Sequence, residues 1–511
     1  MVYQSEYYFE SEPYEYDYDG YQKQSPVRKI LIIASIAAGV QYGWALQLSL
    51  LTPYVQLLGV PHKWAAFIWL CGPVSGLLVQ PTVGYYSDRC TSRYGRRRPF
   101  IVAGASLITV AVILIGFAAD VGHYLLGDTL DEETKPAAVT IFVLGFWLLD
   151  IGNNTLQGPC RALLADLSGG DETMTRFANA LFAFFMAIGN ILGYAAGSLP
   201  EFYRILPFTK TAACDIYCAN LKACFLVSIL ILTFITTVAV TSVSEEPIAA
   251  PTREGKVAII MEQGEEASTG FFKQLSFALL SLSKPMWILL FLTSLNWTGW
   301  FPFLLYDTDW MGKEVYGGNV EGNAEERELY NQGVCAGSLG LLWYVLTLGI
   351  TSLAIEPLVR ILGGVKQVWG IGNLLLAVCM GLTLVITQMA ETARSTAATT
   401  SSGGELKQPP LKVKMASYLL FFLLGIPQAV TYSLPFALTS IISNTVGSGQ
   451  GLSLGVLNLS IVIPQLQIKM VVAMVSGPLD ALFGGRNLPA FVMGGIAAAA
   501  SGILSFAWLP T

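Results

Sequence analysis

Twelve stretches of about 20 mainly apolar residues follow one another along this 511-residue chain. A run of that length crosses the hydrocarbon core of a bilayer as one helix. Charged residues make up 13% of the chain, whereas a soluble domain carries about 25%. The sequence therefore predicts an all-α membrane protein with twelve transmembrane helices. The predicted spans lie near residues 30–53, 65–86, 99–119, 138–160, 176–198, 220–243, 286–306, 336–357, 367–388, 415–440, 452–476 and 488–509.

Composition excludes several other classes of protein. A net charge of −6 argues against nucleic acid as a partner. Only two histidines are present, so no histidine-based metal cluster is available. We expect no enzyme activity, cofactor or metal. Residues 1–28 are acidic and rich in tyrosine, which predicts a disordered cytosolic tail.

Charge in the connections predicts the topology. The segment TSRYGRRRPF carries four arginines, which by the positive-inside rule places it in the cytosol. An even number of spans then puts both termini in the cytosol. Residues 244–285 form a polar cytosolic linker between two six-helix bundles, residues 29–243 and 286–511. Two such halves are typical of the major facilitator fold.

The second and eighth predicted spans end on similar charged sequences, SDRCTSRYGRRRPF and IEPLVRILGG. Each supplies an acid that is followed by arginine and glycine. An acid, an arginine and a helix terminus can pair when the cytosolic side is closed and separate when it opens. We interpret Asp88, Arg89, Arg96 and Glu356 as gating residues on this basis. Topogenic charge is the alternative explanation for part of the arginine cluster.

A polar stripe crosses the fourth predicted span. Its members recur at helical spacing on one face: Asp150, Asn153, Asn154, Gln157 and Arg161. A carboxylate near the middle of a bilayer costs several kcal/mol unless it faces water, a partner or a substrate. The stripe therefore indicates a transport pathway, with hydrogen-bonded helix packing as the alternative.

Asp150 is also the predicted proton carrier. Desolvation raises the pKa of a carboxyl and a nearby cation lowers it, so Asp150 can load a proton outside and release it inside near Arg161. The two residues are about 16 Å apart along a straight helix, and Pro159 favours a bend between them. A sodium site would need several convergent oxygens, which the neighbouring sequence does not offer.

Two further groups of polar and aromatic side chains, on the first and seventh predicted spans, would suit the binding of a sugar ring. The first span carries Gln41, Trp44 and Gln47 at three-residue steps, and the seventh carries Asn296 and Trp297. Amides hydrogen-bond hydroxyls, and flat aromatic rings pack against the C–H faces of a sugar. Interfacial aromatic belts are the alternative for each tryptophan.

Three of the eight cysteines, Cys214, Cys218 and Cys224, cluster around the outer start of the sixth span. An extracellular position permits a disulfide among them. The pairing stays open, because three cysteines leave one sulfur over.

From about Pro26 to its end the chain resembles the plant sucrose–proton symporters, in the glycoside–pentoside–hexuronide branch of the major facilitators. The resemblance is carried by long segments such as SDRCTSRYGRRRPF, NNTLQGPCRALLADLSG, FPFLLYDTDWMGKEVYGG and GQGLSLGVLNLSIVIPQ. It implies roles for single residues. Asp150 matches the proton-carrying acid, Arg161 an essential arginine, and His62 a histidine that affects substrate affinity. The outer acids and cation of the family match Asp307, Glu314 and Lys313, which we interpret as further gating residues.

The chain departs from this pattern in one place. The residues LQIKMVVAMVS follow Pro464 and Gln465 and add roughly one helical turn, with Lys469 inside the eleventh span. Ala481 also replaces a glutamate that is usual in the family. These changes put full activity in doubt.

The sequence thus predicts a plasma-membrane symporter that imports sucrose, and related glucosides, together with a proton. We expect sucrose, protons and membrane lipid as partners, no cofactor other than the proton gradient, and a monomer. The vacuolar membrane is the alternative location. An uncoupled sugar facilitator and a transporter-like sugar sensor are the alternative functions.

Overall fold

The computed structural model describes residues 25–60, 71–129, 135–199, 201–245, 279–280, 282–319, 322–400, 408–446, 449–483 and 487–509. Within these ranges the side chains of residues 52, 53, 56, 397–400 and 468–483 are not described. Most of the predicted amino-terminal tail and of the predicted linker therefore lie outside the described residues.

Twelve long helices occupy the predicted positions in the described part of the chain. They are α1 Pro26–Leu51, α2 Cys71–Arg89, α3 Arg98–Gly116, α4 Pro136–Leu167, α5 Glu172–Ser198, α6 Ile216–Ser242, α7 Lys284–Val315, α8 Ala324–Leu353, α9 Val365–Thr400, α10 Leu411–Val446, α11 Gln450–Phe483 and α12 Leu488–Trp508. Among the described residues, ten of these helices are long and apolar enough to cross a membrane, and α2 and α11 are not among the ten. Several helices extend beyond the apolar run that predicts them, so they reach into the polar loops.

Local sequence explains where these helices begin. Proline stands in the first turn of α1, α3, α4, α7 and α12, where its missing N–H would have no helical partner. Asp171, Asp215 and Asn323 cap α5, α6 and α8 by accepting hydrogen bonds from backbone N–H groups of the first turn. Such caps stabilise a helix by about 1 kcal/mol each.

Buried apolar side chains form two large clusters. One runs from Ile30 to Val243, and the other joins residues of α7 to α12 with Ala180 and Ala187 of α5. Helices α2 and α11, and helices α5, α8 and α10, pack across the boundary between these clusters. We call the two parts the first and the second bundle.

The tightest crossing of the boundary is between α2 and α11. A methyl group added to Gly84 would overlap the backbone carbonyl of Gly451, and one on Gly455 would lie 2.6 Å from Cα of Pro81. Only glycine allows two helices to approach this closely. The bundles are therefore in backbone contact at the end that carries residues 88–98, which we call the arginine end.

Candidate substrate and proton site

The polar stripe lies on α4, which runs unbroken from Pro136 to Leu167 although Pro159 is inside it. Asp150 lies about 21 Å along this helix from its first residue, close to the middle of the helix. Asp150 and Arg161 are 4% and 5% exposed. The stripe therefore presents a carboxyl and a guanidinium to the protein interior.

Asp150 faces α2. The thiol of Cys71 donates to Oδ2 of Asp150 at 2.7 Å. One turn further along α4, Asn154 donates to the hydroxyl of Ser75 at 3.0 Å. Because α2 also crosses α11 of the second bundle, a movement between the bundles would alter the surroundings of this carboxyl.

The next contact on α2 crosses the boundary itself. Asn458 of α11 is buried and donates from Nδ2 to the backbone carbonyl of Gly76 at 2.9 Å. A methyl group on Gly76 would lie 3.1 Å from the Asn458 amide and 3.7 Å from Oδ1 of Asn154. Asn154 and Asn458 thus approach the same glycine from opposite bundles.

Arg161 reaches the second bundle. Its Nη1 donates to Oδ1 of Asn179 at 3.0 Å, and its Nη2 donates to the backbone carbonyl of Tyr432 on α10 at 3.3 Å. The guanidinium carbon lies 4.1 Å from the ring centre of Phe182 and 3.6 Å from that of Phe436. A buried cation is thus stabilised by two aromatic faces and a carbonyl oxygen.

Asn153 and Gln47 lie inside the first bundle. Both line a cavity of about 10 Å³ together with Ser228, a volume that holds at most one water molecule. The other predicted residues of α1, Gln41 and Trp44, are half-buried, and the indole N–H of Trp44 has no hydrogen-bond partner among the described residues. In this conformation Asn153 and Gln47 therefore face a space too small for a sugar.

Asn296 and Trp297, which are neighbours on α7, contact different parts of the second bundle. The Asn296 amide donates to Oδ1 of Asn373 on α9 at 2.7 Å, so this side chain packs within the bundle. Trp297 instead lies 6.0 Å, ring centre to ring centre, from Tyr432, the residue whose carbonyl binds Arg161. Of the two, Trp297 is the one that lies near the boundary.

Gln428 is a polar side chain of this region that the sequence analysis did not single out. It lies on α10, one turn before Tyr432, and is 0% exposed. It is close enough to interact with the Tyr432 hydroxyl. Neither amide atom of Gln428, nor the indole N–H of Trp297, makes a hydrogen bond of normal geometry with a described residue. Buried unpaired polar groups cost about 1–3 kcal/mol each, so they mark a place where a polar ligand would be stabilised.

The contacts described for the charged residues at the end of α7 lie within the second bundle. Asp307 is buried and accepts from the backbone N–H of Thr308 at 2.6 Å. Lys313 pairs with Asp309 at 3.0 Å, and Glu314 accepts from the backbone N–H of Asn487 at 2.5 Å. Glu314 thus ties α7 to the residue that precedes α12, whereas the Lys313–Asp309 pair lies within α7, so both contacts are inside the second bundle.

The arginine end joins the two bundles through Asp88. Its carboxylate accepts from the backbone N–H groups of Gly451 and Leu452, at the start of α11, at 2.9 and 2.8 Å. Oδ1 of Asp88 also lies 2.6 Å from Nη2 of Arg97. The two side chains form an ion pair, but the angles at these atoms are not those of a hydrogen bond. Arg97 is 0% exposed and donates from Nε to Asp166 at 3.0 Å. Burial alone would lower the pKa of Arg97, but the two carboxylates outweigh it and raise the pKa.

A second connection at this end joins Arg176 of α5 to Glu356. The Arg176 Nε donates to Oε2 of Glu356 at 3.0 Å, and both side chains are mostly buried. Glu356 lies on the short helix Ile355–Leu362 that follows α8. This ion pair also crosses between the bundles.

The contacts described for Arg89 and Arg96 lie within the first bundle. Arg96 pairs with Asp166 at 2.5 Å inside the first bundle, and Arg89 stacks over Tyr85 of its own helix at 3.8 Å. The acids Asp88 and Glu356 both contact the opposite bundle. The described arginine partner of Asp88 is Arg97, and those of Glu356 are Arg176 on α5 and Arg360 on its own helix.

Cys214 and Cys218 form a disulfide before and within the first turn of α6, and Cys224 is a free, buried thiol. The bond lies at the end opposite the arginine end. His62 and the side chain of Lys469 lie outside the described residues, although the helical backbone of α11 continues through residue 469.

Comparison with known proteins identifies the family. The family model described as MFS/sugar transport protein matches residues 32–303. The sucrose transport protein SUC4 of Arabidopsis thaliana is 49% identical over 94% of this chain and 90% of its own length. The sucrose transport protein SUT2 of rice is 46% identical over 96% of this chain and 94% of its own length. The chain belongs to the plant sucrose transporter family.

Solved structures agree on the fold. The Escherichia coli fucose:proton symporter FucP aligns with a TM-score of 0.62 at 14% identity, over 96% of this chain and 100% of its own. The proton:xylose symporter XylE aligns with a TM-score of 0.57 at 14% identity, over 95% of this chain and 96% of its own. The predicted major facilitator fold is thus confirmed. The family consists of transporters and not of enzymes.

Proposed function

We propose that this chain is a symporter that couples the entry of sucrose, and of related glucosides, to the entry of a proton. Its sucrose-transporter relatives support the substrate. The observation that supports proton coupling is the buried carboxyl of Asp150, near the middle of α4. This carboxyl contacts α2, the helix that packs against α11 of the second bundle. A buried carboxyl takes up a proton more readily than an exposed one.

The proposed cycle starts from the conformation described here, in which the arginine end is closed. Protonated Asp150 donates a hydrogen bond to a glucosyl hydroxyl, and Asn154 and Gln157 on the same face bind neighbouring hydroxyls. Trp297 packs against the sugar from the second bundle. When the arginine end opens, Arg161 moves toward Asp150, stabilises its ionised form, and so expels the proton on that side.

We place the arginine end in the cytosol. The positive-inside rule supports this orientation, and so does the disulfide between Cys214 and Cys218 at the opposite end, because disulfides persist in oxidising compartments. Both termini then lie in the cytosol. We further propose that the chain acts as a monomer in the plasma membrane, with the vacuolar membrane as the alternative.

Sucrose-evoked current at two external pH values tests this function in oocytes. A symporter gives an inward current that grows as the external solution becomes more acidic. Uptake of labelled sucrose without current would identify an uncoupled facilitator, and the insertion around Lys469 makes this the main alternative. Surface-localised protein with neither current nor uptake would contradict transport and favour a sensor.

A further inference from the structure

Arg161 is enclosed by side chains that belong to different bundles. Asn179 and Phe182 lie on α5, in the first bundle with Arg161 itself. The Tyr432 carbonyl and the Phe436 ring lie on α10, in the second bundle. The guanidinium therefore lies between two aromatic rings. The Phe182 ring belongs to the same bundle as Arg161, and the Phe436 ring belongs to the other bundle.

The contact with Phe436 is the shorter of the two, at 3.6 Å compared with 4.1 Å for Phe182. A guanidinium within about 6 Å of a ring centre is attracted by the negative face of the ring, most strongly where water is excluded. Arg161 is 5% exposed, so the attraction acts in a largely dry site. Separation of the bundles at this level would remove this contact and the hydrogen bond to Tyr432 together.

We propose that Phe436 is a positioning residue for proton coupling. While the arginine end is closed, its ring holds Arg161 at the boundary and away from Asp150, so that Asp150 can accept a proton. When the arginine end opens, Arg161 loses this partner and turns to the carboxyl on the same face of α4. This inference rests on the proposed symport and names the residue that controls when the cation acts.

The thiols and phenols that share this space stay neutral while Asp150 titrates. Among the described residues, the titratable groups around the two charges are Cys71 on α2, Cys160 on α4, Tyr432 on α10 and, beyond Tyr432, Tyr194 on α5, Asp307 on α7 and Tyr344 on α8. Thiols and phenols keep their protons in acidic solution. Asp307 is retained in every variant below, so its contribution is common to all of them.

Ring fluorination isolates the electrostatic part of the contact. Phenylalanines with one, two or three ring fluorines keep nearly the same shape but have a progressively weaker negative face. They are introduced at position 436 of the full chain in oocytes by nonsense suppression. The matched control is the same series at Phe421, a fully buried ring on the same helix that packs 5.4 Å from Phe303 with no described cation on it. The measurement is the external pH that gives half of the maximal sucrose current.

We expect each fluorine at position 436 to move the half-maximal pH downward. A freer Arg161 lies closer to Asp150, favours its ionised form, and so demands more external protons for loading. The trifluorinated variant should need about three to ten times the proton concentration of the parent. The Phe421 series should keep the profile of the parent.

An unchanged pH profile across the Phe436 series, at normal surface abundance, would overturn the inference. Equal shifts in the Phe421 series would also overturn it, because they would show a packing effect alone. If the unsubstituted chain gives no sucrose current, the proposed symport fails instead. Phe436→Leu is an additional test, and the fluorinated series decides if that variant does not reach the surface.

Discussion

The carboxylate of Asp88 joins the two bundles through hydrogen bonds whose free energy can be estimated. Its hydrogen bonds from the N–H groups of Gly451 and Leu452 must break when the arginine end opens. A hydrogen bond to a charged group contributes about 1.5–3 kcal/mol. Asp88→Asn removes the charge and one acceptor oxygen but retains a second one. We expect the closed conformation to lose about 1.5–3 kcal/mol relative to the open one, or roughly a 10- to 150-fold shift in their ratio.

Cys90, which is half-buried beside Asp88, reports this shift through its rate of labelling by a thiol reagent. The experiment uses a Cys335→Ser background, because Cys335 is exposed and would react as well. Permeabilised cells give the reagent access to the arginine end. We expect Asp88→Asn to raise the labelling rate of Cys90 at least several-fold, with normal amounts of protein at the surface.

Asp166→Asn is the matched control. Asp166 also binds Arg97, but the pair lies within the first bundle, so no bond between the bundles is lost directly. We expect Cys90 to label in this variant at close to the parent rate. Parent-like labelling in Asp88→Asn, or equal opening in both variants, would refute the assignment of Asp88 as the connection.

Three further outcomes are expected. Gly84→Ala should place a methyl group against the Gly451 carbonyl; overpacking costs about 1–3 kcal/mol, so sucrose uptake per surface molecule should fall at least about fivefold, and parent-like uptake would contradict this. Gln428→Leu removes a buried amide that makes no hydrogen bond of normal geometry with a described residue, so thermal unfolding of the purified protein should stay at the parent temperature or rise while the KM for sucrose increases; a lower unfolding temperature at unchanged KM would exclude a ligand role. Cys214→Ser opens a loop with a sequence separation of 4 and should lower stability by about 2 kcal/mol or less, with uptake retained at 25 °C; lost uptake would show that the bond with Cys218 serves transport.

Most of the fold follows from hydrophobic run length alone. In the described part of the chain each predicted span overlaps a helix, because apolar segments in a bilayer have no other way to satisfy their backbone hydrogen bonds. The sequence does not specify where each helix ends in the polar loops. α8 begins at Ala324, well before its apolar run, because Asn323 caps it there.

The site was predictable where the chemistry lies on one helix. The stripe from Asp150 to Arg161 needed only helical spacing, and the structure buries both of these residues. Pairing across the boundary needed the three-dimensional arrangement. Arg97 stands in a run of arginines that look alike in sequence, and its full burial and the approach of Asp88 distinguish it from Arg96, which also binds Asp166.

The missed residues of the second bundle have a similar cause. Gln428 and Phe436 lie among apolar residues of α10, where one amide or one ring gives no periodic signal. The available signal was a glutamine directly after Pro427 in the middle of a span, since uncharged polar groups there also need a partner. Asn296 had the same signal and packs within its own bundle, so this signal alone does not separate the two cases.

Sucrose accumulation by Asp150→Asn tests the central claim most directly. The variant is compared with the parent in cells at external pH 5, with surface abundance measured in both. An amide cannot carry the proton, so we expect the internal sucrose concentration to rise to the external one and stop there, while the parent exceeds it. Accumulation above the external concentration by Asp150→Asn would contradict the role of this carboxyl as the proton carrier.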